Sequence, residues 1–252
     1  MNYLIDAHCH LHDQEFFTNE QAEEMLERAR KNGVKRIICI GTSHEDSMAA
    51  AEFANKHKNV YWTYGLHPEI AGEKLDIPDI KDFIDDKLVA IGEVGLDYHY
   101  DGYDRMAQIK LFEEMLQLAK DNNLPVSFHV REAFDDFFIV ISNFPSIKGV
   151  VHSFSDNKKS LKKILENTDF YIGVNGLATY STLPTPPIER IILETDAPFL
   201  TPVPFRGIIN EPGYIKDIAT WLGKRLDLEY ELVEKETTKN AERLFRFPDS
   251  VF

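Results

Sequence analysis

The sequence Tyr3-Leu4-Ile5-Asp6-Ala7-His8-Cys9-His10 begins as a short apolar β-strand and ends in two histidines two positions apart. Side chains alternate between the two faces of a strand, so His8 and His10 point the same way and Cys9 points oppositely. Two neutral imidazoles that converge at the end of a buried strand form half of a metal site. A lone His-X-His is more often an ordinary polar pair, so this interpretation depends on how the later strands end.

Seven further apolar runs of strand length follow the first one along the chain. They are short and rich in β-branched residues without strict alternation, as expected of strands that are buried on both faces. The eight predicted strands are Tyr3–Ala7, Arg36–Gly41, Val60–Gly65, Leu88–Gly92, Pro125–His129, Gly149–His152, Phe170–Val174 and Arg190–Thr195.

Helical patterns lie between these runs. Apolar residues recur at helical spacing in three sets: Ala22, Met25, Leu26 and Ala29; Phe112, Met115, Leu116 and Ala119; and Leu161, Ile164 and Leu165. The acidic segment 76–86 is predicted to be the polar face of another helix, with Pro78 near its start. Strands that alternate with helices predict a (β/α)8 TIM-type barrel, closed or slightly distorted, in one domain over residues 1–252. An open doubly wound sheet is the alternative, although no dinucleotide fingerprint supports it.

Composition restricts the possible functions. The chain has 252 residues, 28 basic against 42 acidic, and a formal net charge of −14. This charge argues against a broad basic surface for nucleic acid, but not against a nucleic-acid enzyme whose positive charge comes from bound metal. Two cysteines provide no disulfide framework, and no signal peptide or membrane-spanning run is found. We therefore expect a cytoplasmic protein without a membrane segment, and no protein partner can be inferred.

Metal-ligand residue types collect at the predicted carboxyl ends of the strands, where barrel enzymes build their sites. Five of the nine histidines lie there, namely His8, His10, His67, His129 and His152, together with the carboxylates Glu93 and Asp196. Nitrogen and oxygen donors of this kind suit Zn, Mn, Fe or a Mg-like ion. Burying two carboxylates at the mouth of an apolar barrel is costly unless cations pair with them. Even without His67 the six donors exceed the need of one tetrahedral ion, which favours two ions and a bridging carboxylate.

Several other polar residues receive weaker interpretations. His12 is interpreted as part of a helix start. Glu194 shares the face of Asp196 one layer deeper, and whether it supports the site or is a structural buried carboxylate is left open. Arg206 follows strand eight, where barrels often place a phosphate-binding group, but a solvated arginine is the alternative. The histidines interpreted as solvated are His44, His57 and His99. The aromatic residues that are candidates for base stacking are Tyr98, Tyr100 and Phe154.

The motifs resemble those of the TatD family of metal-dependent deoxyribonucleases, which belong to the amidohydrolase-like barrels. The resemblance covers nearly the whole chain, and its pieces stand in the expected order. They are Asp6-Ala7-His8-Cys9-His10-Leu11, Gly65-Leu66-His67-Pro68, Gly92-Glu93-Val94-Gly95-Leu96-Asp97-Tyr98, Leu124-Pro125-Val126, His129-Val130-Arg131-Glu132, His152-Ser153-Phe154-Ser155, Leu193-Glu194-Thr195-Asp196-Ala197-Pro198, Asn210-Glu211-Pro212 and Thr238-Lys239-Asn240-Ala241-Glu242-Arg243-Leu244-Phe245.

The resemblance implies a metal site and an activity. The positions that match the family's metal ligands are His8, His10, Glu93, His129, His152 and Asp196. Glu93 matches the bridging carboxylate, and His67 and Arg206 match positions near the substrate. We therefore expect two divalent ions and phosphodiester hydrolysis of DNA, with Glu93 and Asp196 as catalytic residues. A recessed barrel mouth predicts a preference for single-stranded DNA or frayed ends.

Two other classes of function remain open. An amidohydrolase-like enzyme would use the same residues to hydrolyse a C–N or ester bond of a small molecule. A metal-bound scaffold without catalytic activity is the third reading, and the intact ligand set argues against it.

Three departures from the family pattern bear on the substrate. Asp156 stands where the family usually has glycine, and Ile208 and Ile209 replace a basic pair. The segment 179–187 is short and proline-rich where the family normally has another helix. The lost positive charges and the added carboxylate weaken the attraction for a polyanion.

Overall fold

The strands of this computed structural model, which describes residues 3–73 and 77–248, form one parallel sheet in the order β1 to β8. The strands are β1 Leu4–Cys9, β2 Val34–Ile40, β3 Val60–Tyr64, β4 Leu88–Asp97, β5 Val126–Arg131, β6 Gly149–Val151, β7 Tyr171–Val174 and β8 Ile191–Leu193. The α-helices are α1 Asn19–Lys31, α2 His44–Lys56, α3 Arg105–Asp121, α4 Phe134–Ser142, α5 Lys158–Asn167, α6 Ile215–Leu226 and α7 Tyr230–Phe245. All eight predicted strands and the three predicted helical patterns are confirmed.

The sheet closes into a barrel between β1 and the segment that follows β8. The backbone N–H of His10 donates to the carbonyl of Ala197 at 2.7 Å, and the N–H of Asp196 donates to the carbonyl of His8 at 2.8 Å. These bonds lie at the carboxyl ends of the strands, and β1 and β8 share no full ladder. The predicted barrel is confirmed, and its distortion lies at this closing edge.

A buried carboxylate holds the same edge together from inside. Asp6 accepts hydrogen bonds from the backbone N–H of Thr195 at 2.8 Å and from its hydroxyl at 2.6 Å. Neither residue is exposed to solvent. Burial raises the pKa of Asp6 well above its ordinary value, while the two bonds from Thr195 act in the opposite direction. This contact fixes the position of Asp196 relative to His8.

The connection between β3 and β4 departs from the prediction. In the described part of the expected helix, residues 77–86, only the short 3-10 turn Ile80–Asp82 forms, and residues 74–76 lie outside the described ranges. The side chain of Asp79 accepts from the N–H of Lys81, and Asp85 accepts from the N–H groups of Lys87 and Leu88. Aspartates that bind nearby backbone in this way compete with helix formation. The predicted helix is therefore wrong over these residues.

The connection between β7 and β8 also lacks an α-helix. It contains the 3-10 turns Gly176–Thr179 and Ile188–Arg190, joined by a segment with prolines at 184, 186 and 187. Proline has no N–H to donate and restricts the residue before it, so this segment cannot form a helix. The amide of Asn240 in α7 instead donates to the carbonyls of Ile188 and Ile191, at 2.9 and 2.8 Å.

Two apolar layers support the barrel. One fills its interior and includes Ile5, Ile38 and Val150, and the other lies between the sheet and the helices. Among the described residues, no helix has both the length and the hydropathy to cross a membrane. The extent of a single domain over residues 1–252 stays a prediction.

Candidate metal centre

The predicted metal ligands come together at the carboxyl end of the barrel. They come from five strands or the segments directly after them, and a cavity of about 710 Å³ opens above them. The predicted site residues that line this cavity are His10, His67, Glu93, His129, His152 and Asp196. His8 lies beneath it and is fully buried.

His8 is the deepest of these side chains. Neither of its ring nitrogens has a hydrogen-bond partner, although the residue is inaccessible to solvent. Its Nε2 atom lies 3.5 Å from Oε2 of Glu93 and 3.6 Å from Oδ1 of Asp196. These distances are too long for good hydrogen bonds. Donor atoms bound to one tetrahedral ion at about 2.1 Å lie about 3.4 Å apart, so the spacing fits a shared cation.

Two more histidines face the same carboxylates. Nε2 of His10 and Nε2 of His152 each lie 3.7 Å from Oδ1 of Asp196. His152 also lies 3.8 Å from Oε1 of Glu93, and its ring stacks on that of His8 with centroids 3.4 Å apart. Imidazoles and carboxylates thus surround one small volume at the end of β1.

Glu93 also faces a second group of donors. Its Oε1 atom lies 2.5 Å from Nδ1 of His129, while its Oε2 atom faces His8. His67, Glu93 and His129 place ligand atoms within 4.8 Å of one another, as do His8, His10 and Glu93. Glu93 therefore belongs to both groups. His67, which the family resemblance placed near the substrate, is also close enough to Glu93 and His129 to be a ligand.

The pKa shifts favour ionised carboxylates and a neutral His8, and these are the protonation states that bind a cation. Burial by itself raises the pKa of Glu93, but the charges of His152 and His129 hold it well below the ordinary value. The pKa of Asp196 falls for the same reason, with His152 making the largest contribution against burial. Burial and the neighbouring His152 lower the pKa of His8, which favours the neutral imidazole that metals bind.

Glu194 supports the site from below. Its Oε1 atom lies 3.0 Å from Nδ1 of His152 and accepts a hydrogen bond from the N–H of Ser153 at 2.7 Å. A Cβ atom on Gly173 would lie 2.5 Å from Oε2 of Glu194, so glycine leaves the space for this carboxylate. A carboxylate on the far nitrogen of a metal-binding histidine orients that ring. Glu194 is thus placed to orient His152 if His152 binds metal, and this supporting role stays a prediction.

Asp97 supports His129 in the same way, and sequence reasoning assigned it no role. Its Oδ2 atom lies 2.8 Å from Nε2 of His129. Its own backbone N–H donates to the side chain of Gln108 at 2.8 Å. The signal for this residue was present in the sequence, since Asp97 follows Glu93 at even spacing on the same strand and so shares its face.

The buried His12 pairs with Asp46, a half-buried residue that lines the cavity. Nε2 of His12 lies 2.9 Å from Oδ1 of Asp46, whose other oxygen accepts from the N–H and the hydroxyl of Thr42, both at 2.8 Å. Burial lowers the pKa of His12, but the hydrogen bond to Asp46 is the largest opposing effect, and the pKa rises to about 10. The interpretation of His12 as a helix start is wrong, because His12 lies in a turn and α1 begins only at Asn19. The pair instead ties the turn after β1 to the loop after β2.

The three histidines interpreted as solvated differ in how far they are exposed to solvent. His99 is exposed, and its Nδ1 lies 2.6 Å from a carboxylate oxygen of Glu132. His44 and His57 are only half-buried, and the ring of His57 lies 4.5 Å from that of Phe53. The interpretation as solvated therefore applies fully to His99 alone.

Of two arginines near the cavity, Arg131 lines it and Arg206 does not. Arg206 is exposed, and its guanidinium lies 3.8 Å above the ring of Tyr180, outside the cavity lining. Its predicted contact with substrate stays a prediction. Arg131 does line the cavity and donates to the hydroxyl of Tyr100 at 3.3 Å. Of the described residues in that lining, Arg131 alone carries a permanent positive charge.

Comparisons with known proteins agree with this geometry. A family model described as "TatD related DNase" matches residues 5–246. A Bacillus subtilis protein named "Uncharacterized metal-dependent hydrolase YabD" is 34% identical over 96% of this chain and 99% of its own length. A Pantoea ananatis protein named "3'-5' ssDNA/RNA exonuclease TatD" is 30% identical over 96% of this chain and 99% of its own. The crystal structure of YJJV, a TatD homolog from Escherichia coli, superimposes with a TM-score of 0.88 at 28% identity, covering 97% of this chain and 98% of its own.

Proposed function

Because the chain belongs to the TatD family of metal-dependent hydrolases, we propose that it cleaves phosphodiester bonds of single-stranded DNA at the centre built around Glu93. The observation that supports this most is the position of Glu93 between two groups of donors, with one oxygen facing each. A carboxylate in this position could be shared by two cations, and pairs of cations are typical of enzymes that cleave phosphate esters.

The donors divide between two proposed ions. His8, His10 and Asp196 would hold one of them, and His129 would hold the other, with Glu93 shared. His152 lies between the groups, since its Nε2 is 3.7 Å from Asp196 and 3.8 Å from Glu93. Bound divalent ions would neutralise the phosphate and lower the pKa of a water molecule from about 15.7 to about 7. Zn, Mg, Mn and Fe all accept such a mixed set of nitrogen and oxygen donors.

The chain's own residues supply proton transfer and orientation. Asp196 would take the proton from the attacking water, because its carboxylate is ionised and faces the same volume as the ligands. Its backbone has φ of 60° and its N–H is bound to the carbonyl of His8, which fixes the direction of the side chain. Glu93 would accept a hydrogen bond from the attacking water and so orient it. Arg131 lines the cavity and would neutralise charge on the phosphate. His67 also lines the cavity; burial lowers its pKa to about 4, so its neutral imidazole would hydrogen-bond the substrate rather than offset its charge. Arg206 would contact the substrate further out.

A second candidate function has an observation of its own. Six carboxylates line the cavity against one arginine: Asp13, Asp46, Glu69, Glu93, Asp97 and Asp196. Such a lining favours a neutral or cationic small molecule over a polyanion unless bound metal offsets it. Hydrolysis of a C–N or ester bond by the same centre is therefore the alternative.

The experiment compares three substrates with one protein. Wild type, metal-loaded in turn with Zn, Mn and Mg, is assayed on a single-stranded oligonucleotide, on the matching blunt duplex and on a small ester and amide panel. We expect the single strand to be cleaved, and the duplex more slowly, while Glu93→Gln cleaves both about a hundredfold or more slowly than wild type. Turnover of the ester or amide panel without any cleavage of DNA would replace the proposal by the alternative.

A further inference from the structure

Two phenylalanines at the rim of the cavity expose their side chains to solvent. Phe16 is 43% exposed and Phe199 is 47% exposed, and among the described residues no other phenylalanine is classed as exposed. Their ring centroids lie 5.2 Å apart with the planes at 81°, so together they form an open corner. We refer to these two rings as the aromatic corner. Adjacent apolar rings that remain exposed beside a polar cleft indicate a surface for a ligand.

The aromatic corner belongs to the same cavity as the metal centre. Both rings line it together with His10, and the centroid of Phe199 lies 6.3 Å from that of His10. A phosphate held beside His10 thus has its own sugar and base within reach of the corner. The corner is continuous with the proposed catalytic site.

Hydrogen bonds fix the main chain that carries both rings, and the two rings pack against each other. The N–H of Phe199 donates to the carbonyl of Asp196 at 2.7 Å, and its carbonyl accepts from the side chain of Asn210 at 2.5 Å. The N–H of Phe16 donates to the carbonyl of Asp13, and the next residue, Phe17, is buried in the core. A surface organised in advance loses little conformational entropy when a ligand binds.

The lining of the cavity is mostly negative, so affinity for a nucleic-acid strand has to come partly from contacts that do not depend on charge. With one arginine in the lining, side chains can neutralise few phosphates of a nucleic-acid strand. Stacking on aromatic rings provides affinity that does not depend on charge and is available to every base. A paired base inside a duplex has both faces covered and cannot use it.

The other aromatic candidates offer less free surface. Tyr98 is stacked on Tyr103 with centroids 4.5 Å apart, and Phe154 is buried. Tyr100 lines the cavity, but the guanidinium of Arg131 lies 5.3 Å from its ring centroid. The aromatic corner is therefore the better-placed surface.

We propose that Phe16 and Phe199 bind one unpaired base of the substrate by stacking, next to the scissile phosphate, and so select single strands. This inference rests on the proposed function, since it names the part of the substrate that the same site recognises. It makes the corner a determinant of specificity that acts on binding and leaves the chemical step to the metal centre.

The test uses single-stranded oligonucleotides that carry one abasic residue at successive positions. With metal-loaded wild type, the abasic residue should raise KM about tenfold at one position only, which is the loss expected for one stacked base. Phe16→Ala and Phe199→Leu should raise KM for the normal strand by a similar factor and lose this positional effect, with kcat nearly unchanged. Phe16→Trp should keep it. Tyr103→Ala is the matched control, because Tyr103 is also 43% exposed and part of an aromatic pair but does not line the cavity.

The outcomes separate this inference from the proposed function. If wild type cleaves the strand but the abasic scan is flat, or if both variants keep the wild-type positional effect, the stacking role is refuted and the nuclease remains. Another outcome is a variant that loses the same factor of activity on normal and abasic strands and also melts at a lower temperature. That result would show that the phenylalanine has only a structural role, and it would also refute the stacking role. A wild type that cleaves no oligonucleotide refutes the proposed function itself.

Discussion

Glu93 is the single residue on which most of the proposed chemistry depends. Each of its two oxygens faces a different set of histidines, and its carboxylate is held ionised although it is buried. A charged group in that position is costly to bury unless positive charge balances it. Its role can therefore be tested by removing the charge while keeping the volume.

Glu93→Gln should reduce oligonucleotide cleavage by about a hundredfold or more, because the amide cannot bridge two cations as an anion. Folding should be affected less, since the amide fills the same space. Turnover with saturating metal and the midpoint of urea unfolding are the two measurements. His99→Ala is the control and should change neither, because the His99 side chain is exposed and its contacts are with the exposed side chains of Glu132 and Tyr100. Equal turnover in Glu93→Gln and wild type would remove the bridging role.

The sequence predicted which side chains meet at the end of the barrel, but it said less about the residues that contact them from behind. His8, His10 and Asp196 could be predicted because the carboxyl ends of parallel strands must converge in a barrel. Asp46 and His12 could not be paired, because their contact depends on how two loops fold over the rim. The direction of Glu194 likewise depends on the space left by Gly173 on a neighbouring strand.

At the level of elements, the edge between β1 and β8 is the weakest part of the sheet. No full ladder joins these strands, so the bonds of Asp6 to Thr195 and the backbone bonds at His8 and His10 hold it closed. The proposed metal ligands His8, His10 and Asp196 flank this edge on both sides. Its stability and the geometry of the site are therefore linked.

Thr195→Val should lower the free energy of unfolding by about 1–3 kcal/mol, because it removes the 2.6 Å hydroxyl bond to a fully buried carboxylate. Urea unfolding followed by circular dichroism measures this change. Thr220→Val serves as the control, since that hydroxyl lies on the exposed side of α6 and should matter by less than about 0.5 kcal/mol. Similar values for the two variants would show that the Asp6 contact does not hold the edge.

Strand positions could be predicted from apolar runs, but two of the connections could not. The prolines of 184–187 gave a correct warning that no helix precedes β8. The acidic segment before β4 led to a helix prediction that is wrong, because Asp79 and Asp85 use their carboxylates to cap local backbone. Charge periodicity alone does not distinguish a solvated helix face from a series of capping aspartates.

At the scale of the whole molecule, the net charge of −14 works against a polyanionic substrate. Ile208 and Ile209 are more than half exposed and contribute no positive charge, and Asp156 lies outside the cavity lining. Affinity for DNA must then come from the metal centre and from contacts with bases. This consequence can be measured through the salt dependence of binding.

Binding of a single-stranded oligonucleotide to Glu93→Gln should depend weakly on salt. Each phosphate neutralised by a side chain contributes about −0.7 to the slope of log affinity against log salt, so one or two contacts give about −0.7 to −1.4. Arg131→Gln in the same background should reduce the magnitude of the slope by about 0.7. A slope of about −3 or steeper would reveal a basic groove elsewhere on the surface and contradict this prediction.

The most direct test is a metal titration of chelator-stripped protein with cleavage of a single-stranded oligonucleotide as the readout. The barrel has an extensive apolar core, so the stripped protein should keep its circular dichroism spectrum while losing cleavage. Cleavage should return in step with bound metal, up to two equivalents measured by elemental analysis. Glu93→Gln should bind less metal and regain about a hundredth of the wild-type cleavage or less. Full cleavage by the stripped, folded protein would contradict a metal-dependent hydrolytic centre at this site.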